Sequence, residues 1–269
     1  MRCPIAASLA FLLLTSFSQT TRSSGSSQEG ALEAEQRLNQ LAHRYFDADN
    51  AYQDAKRKAT DDATRAAAEK LRPDYAAMAT TFAEIARTSG ENGTAVSAWL
   101  LVIHVASQIP NAALVDEAVG GVLQAPNTAP VLDDLLRKLY EAYAYENAIS
   151  PEVYMGYVRR VAEKAQSGPT HAEALFVLAT ELIQVASVGS SQEGEAKECI
   201  SKLQASYADV KAMDGKTYTE KLEPWLFELG HVLVGHLAPE IEAEDLSGVA
   251  FKLSDYRGKV VLLDFWGNW

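Results

Sequence analysis

Cysteine is nearly absent from this sequence, which has only Cys3 and Cys199 among its 269 residues. A framework of several disulfides and a four-cysteine zinc site both need more sulfur atoms than two residues supply. The sequence therefore excludes a small protein that is held together by disulfides, and it excludes a cysteine-rich structural zinc domain.

Basic charge is also scarce, because 24 Lys and Arg residues face 36 Asp and Glu residues and give a formal net charge of -12. Nucleic-acid binding depends on clustered cations that neutralise phosphates, and the sequence contains no such cluster. We therefore expect no nucleic-acid partner. The acidic balance favours solubility and indicates little else about function.

Two further motif classes are missing. The chain has no G-x-G-x-x-G motif and no P-loop, so nothing in it supports a nucleotide cofactor, and we expect no cofactor at all. After the first 18 residues, no stretch approaches the roughly 18 consecutive apolar residues that a membrane-spanning helix needs. We predict no membrane span once the N-terminal segment is removed.

The N-terminal segment has the pattern of a secretory signal. Arg2 is followed by an almost unbroken apolar run over residues 5–14, and small residues then lead to a cleavage position before Gln19. We predict a signal peptide over residues 1–18 and an exported protein in the periplasm or cell envelope. A retained anchor or a misassigned start remain the alternatives. Residues 19–30 are predicted to form a flexible polar leader.

Residues 31–235 carry helical periodicity and are predicted to form eight to ten helices. Gly, Pro and Ser break the pattern near residues 90, 127, 168 and 213, so the breaks recur about every 40 residues. That spacing is typical of stacked helical hairpins of the tetratricopeptide kind. No strict repeat signature is present, so an irregular helix bundle remains open as well. Either way we expect antiparallel helical hairpins and a mainly α fold.

The pattern changes at Pro239. Residues alternate with a period of two on both sides of Ser247-Gly248, which predicts a β-hairpin. A short helical turn is predicted over residues 254–256, with Gly258 in a tight turn after it. The apolar run over residues 260–265 then has the pattern of a strand buried on both faces of a central sheet. We predict a second domain over residues 236–269.

This C-terminal stretch, APEIEAEDLSGVAFKLSDYRGKVVLLDFWGNW, resembles the opening of thioredoxin-like domains of the TlpA/ResA type, a redoxin family in the AhpC/TSA superfamily. The resemblance covers 32 residues. The pieces that match the family pattern are residues 238–240 at the start, 253–259 at the turn, 260–265 at the first central strand, and Trp266 and Trp269. It implies that residues 236–269 are the first β-elements of an incomplete thioredoxin-like α/β domain.

The resemblance also implies an activity. In that family the two tryptophans lead directly into Cys-x-x-Cys, which would follow Trp269 and is absent from this chain. We therefore expect a fragment of an exported thiol-disulfide oxidoreductase, truncated before its redox cysteines, that acts on protein thiols or disulfides. Because the chemistry needs an activated thiolate and a resolving thiol, the chain itself has no catalytic residue to name.

Two other functions remain open. The first is a non-enzymatic helical-repeat module that binds a protein partner. The second is a peroxide-reducing, peroxiredoxin-like relative, although the Phe265-Trp266-x-x-Trp269 ending favours the disulfide-exchanging branch. The sequence leaves the redox direction, the partner and the oligomeric state open.

No single cysteine or histidine is a strong candidate for a catalytic or metal-binding residue. Cys199 lies at helical spacing from Ile200 and Leu203, which favours a packed residue over a nucleophile. His231 and His236 are five residues apart, which is not the spacing that puts two metal ligands on one helix face. The remaining histidines are assigned to a buried or interhelical position (His104) and to helix surfaces (His43, His171).

The acidic pairs and the aromatic residues are also assigned structural roles. Asp61-Asp62 and Asp133-Asp134 stand near predicted helix starts, where the helix dipole favours negative charge. The aromatic residues are interpreted mainly as core or groove lining, and some of them would line a concave partner-binding face if the helices form a solenoid. They are Trp99, Tyr140, Tyr143, Tyr145, Tyr154, Tyr157 and Trp225.

Overall fold

The computed structural model describes residues 25–109, 111–125, 129–144, 148–212 and 214–264. Within these residues the fold is mainly α, as predicted. Ten α-helices are present in the described parts: α1 (Gly25–Lys58), α2 (Asp62–Glu69), α3 (Tyr75–Thr88), α4 (Gly93–Ala106), α5 (Ala112–Gln124), α6 (Ala129–Ala144), α7 (Pro151–Ala165), α8 (Gly168–Val185), α9 (Ser191–Ser206) and α10 (Tyr218–His231). A two-stranded antiparallel sheet follows, formed by β1 (Glu242–Glu244) and β2 (Ala250–Lys252).

The chain divides into two compact units, the first reaching Leu178 and the second beginning at Ala179, so the division falls inside α8. In the first unit, α4 packs against α3 and α5, and α6 packs against α7. Alternate helices also touch there, α4 with α6 and α5 with α7. In the second unit α9 packs against α10. The domain boundary near residue 236 and the tetratricopeptide interpretation stay predictions.

Short polar side chains define where most helices begin. The side chains of Asp61, Asn92 and Ser150 each accept a hydrogen bond from the backbone N–H three residues later. Asp74, Asn111, Ser190 and Thr217 cap four further helices in the same way. Such caps satisfy N–H groups that have no partner inside the helix, typically for about 1 kcal/mol each. The predicted helix starts at Asp61 and Ser150 are confirmed.

The core of the first unit is built around α4. Its sequence, GTAVSAWLLVIHVA, is rich in β-branched residues, yet it forms the buried helix that its length and its Ala/Ser content predict. Nine of its 14 residues are buried, so nearly all sides of this helix are covered. A helix that is apolar on most sides must be surrounded by others, which makes α4 the central element of this unit.

Two helix boundaries differ from the predictions. Helix α1 begins at Gly25, within the segment that composition predicts as a flexible leader. Gly168 begins α8 in the stretch predicted as a loop, because proline is well tolerated in the first turn of a helix and Pro169 lies there. The predicted helix end near Asn147 lies outside the described residues, which include this helix as far as Ala144.

A glycine lets α4 and α5 approach closely. The backbone of Gly121 on α5 lies directly against the indole of Trp99 on α4, and a Cβ at this position would fall well inside contact distance of the ring. The neighbouring Gly120 is different, since a Cβ there would meet only Arg160 Nη2 at 3.6 Å, an ordinary contact distance. The close packing therefore requires glycine at position 121, whereas position 120 has room for a Cβ atom.

We predict opposite effects for alanine at these two glycines. Gly121→Ala must push Trp99 out of place, and it should lower the free energy of unfolding by about 1–3 kcal/mol through overpacking. Gly120→Ala should raise it by up to about 1 kcal/mol, because alanine favours helix and restricts the unfolded chain. Urea unfolding of the two variants measures both values. Equal effects of the two substitutions would contradict the close packing at Trp99.

The C-terminal hairpin forms as predicted. Glu242 pairs with Lys252 and Glu244 pairs with Ala250, in antiparallel register. The side chain of Asp245 organises the turn by accepting hydrogen bonds from Ser247 N (2.8 Å) and Val249 N (3.0 Å). Gly248 has a φ of 77°, a conformation that favours glycine. A 3-10 turn over Leu253–Tyr256 follows, which is the predicted helical turn.

The predicted central strand is not present over its described residues. Residues 260–264 are assigned to neither helix nor strand, and Phe265 lies outside the described part. A buried central strand needs a hydrogen-bonded neighbour on each side. None of the described residues pairs with this stretch. As a result Val260 and Leu262 are almost fully exposed.

An exposed apolar run of this kind favours association with other chains. We predict that deleting residues 239–269 increases the soluble yield and changes the melting temperature of the remaining chain by less than about 4 °C. The small thermal effect is expected because most described residues from Pro239 onward are exposed, and 1 kcal/mol corresponds to roughly 2–4 °C in a chain of this size. Differential scanning fluorimetry measures the shift. A fall of about 10 °C or more would contradict this expectation.

Candidate functional site

The redox site implied by the family resemblance cannot be built from the described residues. Its expected cysteine pair would follow Trp269, and residues 265–269 lie outside the described part. The described cysteine, Cys199, lies on α9 with 5% of its surface exposed, beside the buried Ile200 and Leu203. Its placement is that of a packed apolar side chain, in agreement with its helical spacing in the sequence.

The four histidines other than His104 do not form a common site in the described residues. His231 stacks on the Phe227 ring at a centroid distance of 4.8 Å, and His236 Nε2 lies 3.3 Å from the Leu229 carbonyl oxygen. His43 is exposed on α1 and His171 is half-buried on α8. Across the residues that the structure describes, no group of three or more His, Cys, Asp or Glu side chains is arranged to hold a metal ion.

His104 belongs to a polar cluster that the sequence did not reveal. It lies on α4, and its Nδ1 is 3.3 Å from Lys138 Nζ on α6. The same ammonium group donates a hydrogen bond of 2.8 Å to Glu141 Oε2. Tyr45 and Phe46 of α1 place their rings 5.8 Å from the imidazole. A distance of 34 residues along the chain separates His104 from Lys138, so only tertiary packing brings them together.

Burial sets the charge state of this cluster. Loss of water around the imidazole is the main reason that the pKa of His104 falls to about 3, and the nearby positive charges of Lys138 and Arg137 lower it further. Burial also lowers the pKa of Lys138, against the opposing effect of Glu141. His104 is therefore neutral at physiological pH, with Nδ1 as acceptor for the lysine and a proton on Nε2.

The lowered pKa predicts how stability depends on pH. In the unfolded chain His104 takes up a proton near its ordinary pKa of 6.5, whereas in the folded chain it stays neutral down to about pH 3. The folded state therefore loses stability as pH falls through this interval, by at most about 1.4 kcal/mol per pH unit. About a fifth of the side chain remains exposed, which reduces the effect. His104→Gln keeps an acceptor for Lys138 and removes the titration.

We expect His104→Gln to lose less stability than the parent chain between pH 7 and pH 4, by up to about 3 kcal/mol. Urea unfolding at four pH values in this range measures the difference. Lys138 and Glu141 are present in both proteins, so their own titration is a shared background. Parallel pH profiles for the two proteins would contradict the neutral, buried histidine.

The acidic pairs predicted at helix starts have separate structural roles. Asp61 forms a capping box with Thr64 at the start of α2, and its pKa is held below the ordinary value mainly by the hydrogen bond from the Thr64 backbone. Asp62 forms an exposed ion pair with Arg65. The prediction that Asp133-Asp134 caps a helix is wrong, because α6 begins at Ala129 and both residues lie in its second turn. Asp133 is exposed there, and Asp134 accepts a hydrogen bond of 2.6 Å from Arg137. Neither pair forms the facing carboxylates of an acid-base site.

The predicted aromatic residues divide between core and surface. Trp99, Tyr154 and Tyr157 are buried in the first unit, and the ring of Tyr143 stacks on Tyr154 at 4.5 Å. Tyr140 is 45% exposed, and Trp225 on α10 is half-buried. Tyr145 lies outside the described residues. The prediction of mainly core roles therefore holds for the buried three.

Trp99 also borders a groove of about 480 Å³ in the first unit, which we call the Trp99 groove. Its lining includes the largely buried Trp99, Ala95 and Val96 of α4 and the backbone at Gly120-Gly121 of α5. Its rim is charged. Arg87 lies above the indole with its guanidinium carbon 5.9 Å from the ring centroid, a cation-π distance.

Two ion pairs cross the rim of the Trp99 groove. Arg87 of α3 binds Glu117 of α5 through two hydrogen bonds of 2.7 and 2.6 Å, and this contact lowers the pKa of Glu117. Arg160 of α7 binds Asp116 of α5 through one hydrogen bond of 2.8 Å. The two pairs connect α5 to α3 and to α7 along the edge of the groove.

Comparison with known proteins gives a short match. The chain is 55% identical over 38 residues to the thiol-disulfide oxidoreductase ResA of Geobacillus kaustophilus, and 53% identical over 38 residues to ResA of Geobacillus thermodenitrificans. Each match covers 14% of this chain and 22% of the relative. No family model matches the chain, and no solved structure matches it.

The chain thus spans about a fifth of the length of the curated relatives it matches. A segment of this chain is similar to part of a thiol-disulfide oxidoreductase, which agrees in part with the resemblance read from residues 238–269. Throughout the described parts of the chain, no helix has both the length and the apolar content needed to span a bilayer.

Proposed function

We propose that this chain contributes a helical region and the opening of a redoxin domain to an exported thiol-disulfide oxidoreductase. The observation that carries the proposal is the 55% identity over 38 residues to a ResA protein. That length is close to the 32 residues at 238–269 whose motif is typical of the same family. Identity of this level over a short segment supports a redoxin-related segment, and the activity itself is our inference.

The local chemistry of the hairpin agrees with this role. Glu240 accepts a hydrogen bond of 3.0 Å from Ser254 N, and Asp255 Oδ2 accepts one of 2.9 Å from Lys252 N. These contacts join the segment before the first strand, and the end of the second strand, to the 3-10 turn that precedes Gly258 and the apolar run at 260–264. In the proposed complete domain this run becomes the strand that leads to the cysteine pair.

The redox step itself needs residues beyond the described ones. A thiolate attacks a disulfide sulfur of the substrate and forms a mixed disulfide, with the other substrate sulfur leaving as a thiol. A second thiol three positions along the chain then attacks the mixed disulfide, which releases the reduced substrate and leaves a disulfide between the two cysteines for an external dithiol to reduce. Cys199 is a poor candidate for either role because it is buried and lies on a helix of the second unit. We therefore assign the activity to a Cys-x-x-Cys pair after Trp269, and we propose that the helical region receives a protein partner.

The decisive experiment starts from the gene. We expect the reading frame downstream of codon 269 to continue, directly or after one frameshift, into Cys-x-x-Cys. The complete protein should then reduce insulin disulfides with dithiothreitol as the electron donor. Serine in place of the first cysteine of that pair should abolish turnover, because no attacking thiolate remains.

Cys199→Ser serves as the matched control and should leave the rate unchanged, since this side chain is buried on α9. A reading frame without the cysteine pair would refute the proposal for this gene. Peroxide consumption without insulin reduction would assign the complete protein to the peroxide-reducing branch instead.

A further inference from the structure

The connection between α3 and α4 contains the single Asn-Gly pair of the sequence, Asn92-Gly93. Asn92 is exposed and is the N-cap of α4, where its side-chain oxygen accepts a hydrogen bond of 3.0 Å from the Ala95 N–H. Gly93 is the first residue of the helix. An asparagine side chain can react with the backbone nitrogen that follows it, and glycine hinders this approach least because it has no Cβ atom.

Both reacting groups are available at this helix start. The Gly93 N–H stands at the first helical position, where the helix offers no acceptor, and no other described residue accepts a backbone hydrogen bond from it. The cap hydrogen bond of Asn92 is made by Oδ1 and leaves the –NH2 group free of it. This bond also draws electrons away from Cγ, which is the atom that an attacking nitrogen has to reach.

The backbone angle ψ of Asn92 brings the two groups to the same side. A five-membered ring closes when the Gly93 nitrogen eclipses Cβ of Asn92 about the Cα–C bond. The observed ψ of 178° places this nitrogen gauche to Cβ, so a rotation of about 60° reaches the ring geometry. Asn111, the exposed N-cap of α5, has a ψ of 70°, which places the Ala112 nitrogen almost opposite Cβ. The two caps therefore have the same structural role but different access to ring closure.

We propose that Asn92 is a site of spontaneous covalent modification, at which the Asn92-Gly93 link forms a succinimide that opens to aspartate and iso-aspartate. The Gly93 nitrogen loses its proton to hydroxide and bonds to Cγ of Asn92, and Nδ2 then leaves as ammonia with a proton taken from water. Water next adds to one of the two ring carbonyls and breaks its bond to nitrogen. Attack at Cγ gives aspartate, and attack at the backbone carbonyl carbon gives iso-aspartate. The inference stands apart from the redox proposal, because it uses neither a cysteine nor the C-terminal hairpin.

The two products differ in their effect on α4. Aspartate keeps the cap, because a carboxylate oxygen accepts the Ala95 N–H and the helix dipole favours negative charge at this end. Iso-aspartate carries an additional methylene group in the main chain, so the cap geometry is lost. Since nine of the 14 residues of α4 are buried, iso-aspartate alters the start of the helix around which the first unit packs.

The test incubates the full, folded chain at mildly alkaline pH and analyses samples over time by peptide mapping and fragment-ion mass spectrometry. We expect the mass gain that accompanies exchange of –NH2 for –OH to accumulate at Asn92, with iso-aspartate among the products. Asn111 should react at least about fivefold more slowly. The same chain unfolded in urea should react faster at Asn92, by no more than about 30-fold, because ring closure in the folded chain requires only the opening of one cap.

Two variants separate the effect of glycine from the effect of the backbone angle. Gly93→Ala keeps the cap and favours the helix, and it should slow the reaction at Asn92 by at least about tenfold, because the added Cβ hinders ring closure. Ala112→Gly is the matched control, since it creates a second Asn-Gly pair at the start of α5. In the folded variant Asn111 should still react at least about fivefold more slowly than Asn92, whereas in urea the two should react at similar rates.

Three outcomes would overturn the proposal. The first is a reaction at Asn92 that is more than about 30-fold slower in the folded chain than in urea, which would mean that the helix start protects this residue. The second is aspartate without iso-aspartate, since direct hydrolysis of the side-chain amide gives aspartate alone. The third is equal rates at Asn111 and Asn92 in the folded Ala112→Gly protein, which would remove the structural basis of the assignment.

Discussion

The burial of α4 is the constraint on which the first unit depends. This helix has too many apolar residues for a surface position, so α3, α5, α6 and α1 pack around it. One of these contacts joins Trp99 directly to the backbone of Gly121 on α5. Because interiors are close-packed, the position of one large ring fixes the separation of two helices. The groove beside Trp99 is a consequence of that separation.

Charge in this unit is placed where helices meet solvent. The arginines at positions 87 and 160 pair with neighbouring acids on α5, so each ion pair connects two helices at a groove edge. Pairs exposed to this degree contribute little to stability, but they do fix geometry. The His104–Lys138–Glu141 cluster is buried more deeply, and there the loss of water governs the charge state. Exposed ion pairs in this unit therefore fix the geometry between helices, whereas burial sets the charge state of His104 and Lys138.

The second unit combines a helical pair with a C-terminal hairpin of another character. Gly235 has a φ of 107° and lies against Val188, where the Val188 N–H donates to the Val234 carbonyl at 2.9 Å. Beyond this point the described residues are mostly exposed and are held by local hydrogen bonds. A short segment that is held by local contacts keeps the turns that its own residues favour. The residues of these turns are among those that carry the family resemblance. The strand that follows requires neighbours from elsewhere in a sheet.

The amino-acid sequence by itself determined the mainly α class, the buried α4 helix, the capped helix starts at Asp61 and Ser150, and the hairpin at Ser247-Gly248. These features depend on periodicity, capping and turn chemistry, which act over a few residues. Tertiary structure alone decided the contact of His104 with Lys138, the fit of Trp99 to Gly121, and the arginine pairs across the groove. The apolar run at 260–264 has the pattern of a strand in its own sequence, but pairing as a strand requires residues from elsewhere in a sheet. Contacts between residues far apart in the chain leave no periodic trace, because they depend on how whole helices or strands pack.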